Sequence, residues 1–125
     1  TGLTSRMALN NRFAVFVAFD AGNLRPVAEL LRALYPASPL LVCADDDWQT
    51  KGNPGVTKAT EITKRVPYAH LIYPVFTGKR GAKDTDFNDL QAASGLVTVA
   101  RQFQGPLAYM GRLSVRAPEV LSHAA

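Results

Sequence analysis

Three short, uninterrupted apolar runs, at residues 13–19, 39–44 and 70–75, constrain the fold of this chain more than any other feature. A strand with one wet face alternates apolar and polar residues, whereas a strand covered on both faces is apolar throughout, which is the habit of parallel sheets. Each run is followed by turn residues and then by helical spacing. Asp20-Ala21-Gly22-Asn23 leads into Val27, Leu30, Leu31 and Leu34 at i, i+3, i+4 and i+7, closed by Tyr35-Pro36. The second run passes through Asp45-Asp46-Asp47 and Lys51-Gly52-Asn53-Pro54-Gly55 into a segment with Val56, Ala59, Ile62 and Val66 on one side. The third opens into the basic, glycine-containing loop from Phe76 to Lys83, after which Asp86 is placed to cap a short helix and Ser94 to cap another around Leu96, Val97, Ala100 and Phe103. Strand–helix repetition requires crossover connections, so the expected fold is a three-layer, Rossmann-like α/β domain with a small parallel sheet flanked by helices.

The 125 residues suit one domain with a modest core. We expect that domain to cover residues 1–110, with Leu3, Met7 and Ala8 suggesting a short helix near its start, and residues 111–125 to form a weakly patterned tail. Nothing approaches the roughly 20 apolar residues of a bilayer crossing, and the first residues do not read as a secretory signal, so the expected setting is cytoplasmic, away from membranes. The lone Cys43 lies among apolar neighbours and reads as a small buried hydrophobe. His70 and His123 do not form a zinc pattern.

Fourteen Lys and Arg against ten Asp and Glu give a net charge of +4, a mild bias toward polyanionic partners. The acids are distributed unevenly: six of the seven Asp fall in Asp45-Asp46-Asp47 and between Asp84 and Asp89. In a parallel sheet all strand carboxyl ends share one edge, so acids that follow three different strands converge there. Crowded carboxylates raise one another's pKa or recruit a hard divalent cation, above all Mg²⁺. In Asp-x-Asp, alternate side chains face one way, so Asp45 and Asp47 can share a site while Asp46 turns aside. Asp-rich turns also serve as solvated caps, which is the plainer account of these residues. Lys79, Arg80 and Lys83 beside them suit phosphate, since cations on both sides neutralise its oxygens.

The succession Ala44-Asp45-Asp46-Asp47, then Gly55-Val56-Thr57-Lys58-Ala59, then Lys83-Asp84-Thr85-Asp86-Phe87-Asn88-Asp89-Leu90 resembles the Toprim domain of plasmid, phage and integrative-element DNA primases. The likeness runs from about Phe13 to Leu90. It implies a Toprim fold and Mg²⁺- or Mn²⁺-dependent nucleotidyl transfer in primer synthesis. Asp45, Asp47 and Asp86 would then be the catalytic, metal-holding acids, Asp84 an alternative to the last, and Lys79, Arg80 and Lys83 would contact phosphates. The implied partners are template DNA and nucleoside triphosphates, with a replicative helicase and a strand-exchanged second copy as further ones.

The family also carries a Glu at the end of a strand before the first helix, and Thr1-Gly2-Leu3-Thr4 resembles the turn just after that motif. The resemblance therefore implies that this strand and its Glu lie upstream; Glu29 and Glu61, within expected helices, are no substitutes. Two other readings stand beside it. Val17-Ala18-Phe19-Asp20-Ala21-Gly22-Asn23-Leu24 resembles the first strand of NYN- and PIN-like ribonucleases, in which Asp20 would become a metal ligand. The third is a noncatalytic nucleic-acid-binding module.

Overall fold

The computed structural model describes residue 16 and residues 21–114. In order these form α1 (Ala21–Leu34), β1 (Leu40–Cys43), α2 (Pro54–Arg65), β2 (Ala69–Ile72), α3 (Phe87–Ser94) and α4 (Leu96–Ser114). The strand expected over 13–19, Asp20 at its end, the helix suggested near Leu3, His123 and residues 115–125 lie outside the described residues. Helix α4 continues across position 110, where the tail was expected to begin, to Ser114. No helix among the described residues is long and apolar enough to cross a membrane.

β1 and β2 pair in parallel, with Leu40 opposite Ala69 and Cys43 opposite Ile72. A parallel pair cannot be closed by a tight turn, and α2 is the crossover, packing on both strands. Strand periodicity then divides the apolar residues between two layers. Leu40, Val42, Ala44, Ala69 and Leu71 join Leu24 and Ala28 of α1 and Ala59, Ile62 and Val66 of the α2 region in one core. Leu41, Cys43 and Ile72 face the other way and join Phe87, Leu90, Val99 and Phe103 of α3 and α4. Helices cover both faces, which is why the runs are apolar without alternation.

His70 belongs to the second layer, edge-on to Tyr109 with ring centroids 5.1 Å apart. Its Nε2 is buried with no hydrogen-bond partner among the described residues, so the imidazole acts as a core ring. Cys43, expected to be buried, is half-buried and packs on the same layer.

Three local expectations are corrected. The apolar stripe of α1 is Leu24, Val27, Ala28 and Leu31, whereas Leu30 and Leu34 are 58% and 60% exposed. Two stripes with the same spacing overlap in this segment, and the small Ala28 selects the one that lets α1 approach the sheet. The third run leaves the sheet at Ile72 rather than Val75, because Pro74 has no N–H for a ladder. The Gln102 side chain stands in for a strand there, accepting from Val75 N at 3.0 Å and donating to Val75 O at 2.7 Å. Finally, Ser94 ends α3 instead of capping α4. Gly95, at φ 84°, makes the break between the helices, and the Ser94 carbonyl accepts from the Thr98 hydroxyl at 2.8 Å.

Phe87 is fully buried against Phe103, their ring centroids 5.0 Å apart, at the start of α3. Phe87→Ala is expected to destabilise the chain by about 3–5 kcal/mol, read as a lower urea midpoint with unchanged slope.

Candidate functional site

The carboxyl ends of β1 and β2 lie on one edge, and the loops that leave them are bound together. Asp46 N donates to Thr85 O at 2.7 Å, a backbone bond between the loop after β1 and the residues that enter α3. Asp45 and Asp86 flank this link, so the two acidic stretches meet as the topology required.

Each Asp of the first stretch has a different task. Asp47 Oδ2 accepts from Gly55 N at 2.9 Å, placing a carboxylate on the positive end of α2. A Cβ on Gly55 would run into the Asp45 carbonyl oxygen and stand 2.9 Å from Asp47 Oδ2, so the helix approaches this closely only with glycine there. Asp46 is turned aside, as Asp-x-Asp alternation predicts. Its Oδ2 pairs with Arg80 Nη1 at 2.9 Å, its carbonyl accepts from Arg80 Nη2 at 3.0 Å, and its Oδ1 accepts from Asn53 Nδ2 at 2.6 Å. Asn53 also accepts from Asp47 N at 2.9 Å, and holds the left-handed φ of 42° that Asn tolerates.

Arg80 was expected at phosphates, but its donors face protein. Besides the two bonds to Asp46, its Nε donates to Asp84 O at 3.0 Å. The guanidinium also lies 4.4 Å from the Phe76 ring centroid and 4.7 Å from that of Trp48. It is a clamp between the two loops. Lys79 and Lys83 are exposed.

At the second stretch, Asp86 Oδ1 accepts from Asp89 N at 2.8 Å, and Asp89 Oδ2 accepts from the amides of Thr85 and Asp86, the reciprocal capping box of α3. Asp84 Oδ2 accepts from Gly81 N at 2.7 Å and closes its own loop.

Asp45 differs from all of these. Its carboxyl accepts no hydrogen bond among the described residues, and its pKa is raised above the ordinary value of 3.8. Partial withdrawal from water is the first cause, followed by the negative charges of Asp86, Asp47 and Asp89. Among the described residues no group of three His, Cys, Asp or Glu side chains is gathered tightly enough to grip an ion unaided. The donor chemistry nonetheless fits Mg²⁺, which takes one or two carboxylates and completes its octahedron with water and phosphate oxygens. Glu29 pairs with Arg25 at 2.8 Å, and Glu61 lines a shallow groove between α1 and α2; neither belongs to this edge.

Asn53, Asp89 and Trp48 were missed as parts of the site. Asn before Pro-Gly signals a turn that Asn can cap, and Asp86-x-x-Asp89 has the spacing of a capping box. Trp48 had no signal beyond its place beside the acids.

Fold and edge together define a small α/β unit that gathers carboxylates where strand ends meet, a placement suited to ligand binding. Two proteins named DNA primase TraC, both from Escherichia coli, are similar to it. One is 48% identical over 67 residues, which is 50% of this chain and 6% of the relative. The other is 39% identical over 83 residues, covering 63% of this chain and again 6% of the relative. The chain thus spans only a small part of the length of these relatives, and what it shares with them is a primase-related region. No protein-family model matches the chain, and no solved structure does.

Gly55→Ala is expected to cost about 1–3 kcal/mol, because backbone rather than a flexible side chain must give way; a urea titration measures it. Asp45→Asn should act in the opposite direction. With the folded pKa above the unfolded one, the folded chain keeps its proton longer, so stability falls as pH rises from about 3.8 through the folded value. The substitution is expected to raise Tm at pH 7 by an amount equivalent to less than about 1 kcal/mol, given solvent screening, and to change nothing below pH 3.8.

Proposed function

We propose that this chain is a Toprim-like unit of a mobile-element DNA primase, and that its acidic edge serves Mg²⁺-dependent nucleotidyl transfer in primer synthesis. The similarity to two DNA primases carries the reading. The meeting of Asp45 with Asp86 supports it, because that pair is what the chemistry needs and lies far apart in sequence.

In this reading Asp45 and Asp86 would hold Mg²⁺, or Mn²⁺, directly, and Asp47 would add charge from behind while its bond to Gly55 keeps the loop against α2. When bound, the ion neutralises triphosphate oxygens as charge builds during in-line displacement. Asp46 and Arg80 hold the two acidic loops at fixed separation, so the carboxylates need not reorganise when substrate arrives. Lys79 and Lys83 are free to meet phosphates of template or nucleotide. The partners are template DNA and nucleoside triphosphates.

The test is a chimera in which this chain replaces the matching region of one of the similar TraC primases. Primer synthesis on single-stranded DNA is expected to persist, and to fall about a hundredfold or more in Asp45→Asn and in Asp86→Asn. Asp20→Asn should leave it within about twofold, since the reading gives Asp20 no part in the chemistry. An Asp45→Asn chimera with full activity would sink the proposal. RNA cleavage by the chain itself, lost in Asp20→Asn, would replace it with the ribonuclease reading.

A further inference from the structure

Trp48 is the only tryptophan in the sequence. It follows the acidic stretch directly and is 43% exposed, so part of its ring is open to a ligand. It is also held in place. Its backbone N–H donates to Asp46 O at 2.8 Å, and Thr50 N to Asp47 O at 2.8 Å, which tightens the turn that carries it. The Arg80 guanidinium lies over the indole, 4.7 Å from the centroid, and is itself anchored to Asp46 Oδ2, Asp46 O and Asp84 O. A ring with an anchored cation on one face and this much exposure presents its other face to solvent.

The charges around it complete the pattern. Asp46 is neutralised by Arg80, whereas Lys51 on the same loop and Lys79 and Lys83 on the facing loop are exposed and make no ion pair among the described residues. An exposed aromatic ring with lysines on its own loop and on the loop bound to it is the combination that non-sequence-specific single-strand binding uses: bases stack on the ring, and ammonium groups take the phosphates.

We propose that the outward face of Trp48 stacks a nucleobase of single-stranded DNA, with Lys51, Lys79 and Lys83 on the adjoining phosphates. This rests on the nucleic-acid reading above and adds a binding platform to it. A base can also arrive on a free nucleotide, so the experiment separates the two sources.

With one tryptophan, fluorescence excited at the red edge of the aromatic band, where the four tyrosines do not absorb, reports Trp48 alone. Titration with oligothymidylate at low salt is expected to quench it. Anisotropy of a labelled oligothymidylate is expected to show affinity about tenfold or more weaker in Trp48→Ala, and within about threefold of the parent in Trp48→Phe, which keeps a stacking ring. Far-UV circular dichroism checks that each variant is folded. Lys79→Ala with Lys83→Ala should reduce the salt dependence of binding by roughly one to one and a half logarithmic units per decade. Thymidine triphosphate at equal nucleotide concentration should quench much less; equal quenching would overturn the strand as occupant. DNA binding without quenching, and with undiminished affinity in Trp48→Ala, would overturn the platform and leave the primase reading standing. Failure of the chain to bind DNA or nucleotide at all would overturn both.

Discussion

The acidic edge depends on one guanidinium. Two loops leave neighbouring parallel strands carrying carboxylates that repel one another, and Arg80 ties them together by bonding to both the side chain and the carbonyl of Asp46 and to the carbonyl of Asp84. The other acids are satisfied by amides: Asp47 by the first turn of α2, Asp84 by Gly81, and Asp86 and Asp89 by each other's backbone in the capping box. These bonds fix each carboxylate against a backbone donor. Asp45 is the exception. With no donor of its own among the described residues, its carboxyl is shifted upward, first by partial withdrawal from water and then by the charges of Asp86, Asp47 and Asp89.

Placing that cluster is the work of the sheet. Because β1 and β2 run parallel in fixed register, their carboxyl ends coincide, and the loops after Ala44 and after Ile72 must start side by side. The register is secured from both faces, by α1 and α2 on one and by α3 and α4 on the other, and slipping it would expose an apolar layer. The site also reaches into the core. Asp86 and Asp89 cap the helix whose next residue inward, Phe87, is fully buried, so movement of the second acidic stretch is coupled to packing against Phe103.

Much of this was legible in the sequence, for local reasons. Unbroken apolar runs marked strands buried on two faces, the Asp-x-Asp alternation turned Asp46 away from Asp45 and Asp47, and Asp86 had the position of a cap. What was not legible depended on distance or on a choice between equals. The partner of Asp46 lies 34 residues away, and no spacing rule links the two. Arg80 looked like a phosphate ligand because a loop arginine in isolation has free donors; only the folded chain brings acceptors to all sides of it. In α1, Leu24-Val27-Ala28-Leu31 and Val27-Leu30-Leu31-Leu34 have the same spacing, and the neighbouring sheet decided between them. Ser94 lost its expected role because Gly95, free to adopt a positive φ, broke the helix one residue later.

Arginine rather than lysine at position 80 has a consequence for how the edge is organised. A guanidinium is planar, with donors in its plane and faces free for stacking. Arg80 uses both at once: its edge binds the acidic loops and its faces lie near Phe76 and Trp48. An ammonium at the same place would neutralise Asp46 but would neither reach three acceptors in a fixed fork nor offer a flat surface to an indole. The carboxylates and the aromatic face are therefore oriented by the same group. A base resting on Trp48 and a cation held at Asp45 would share one rigid frame of reference, and positioning of that kind is how a site with few direct contacts can still align a bound strand.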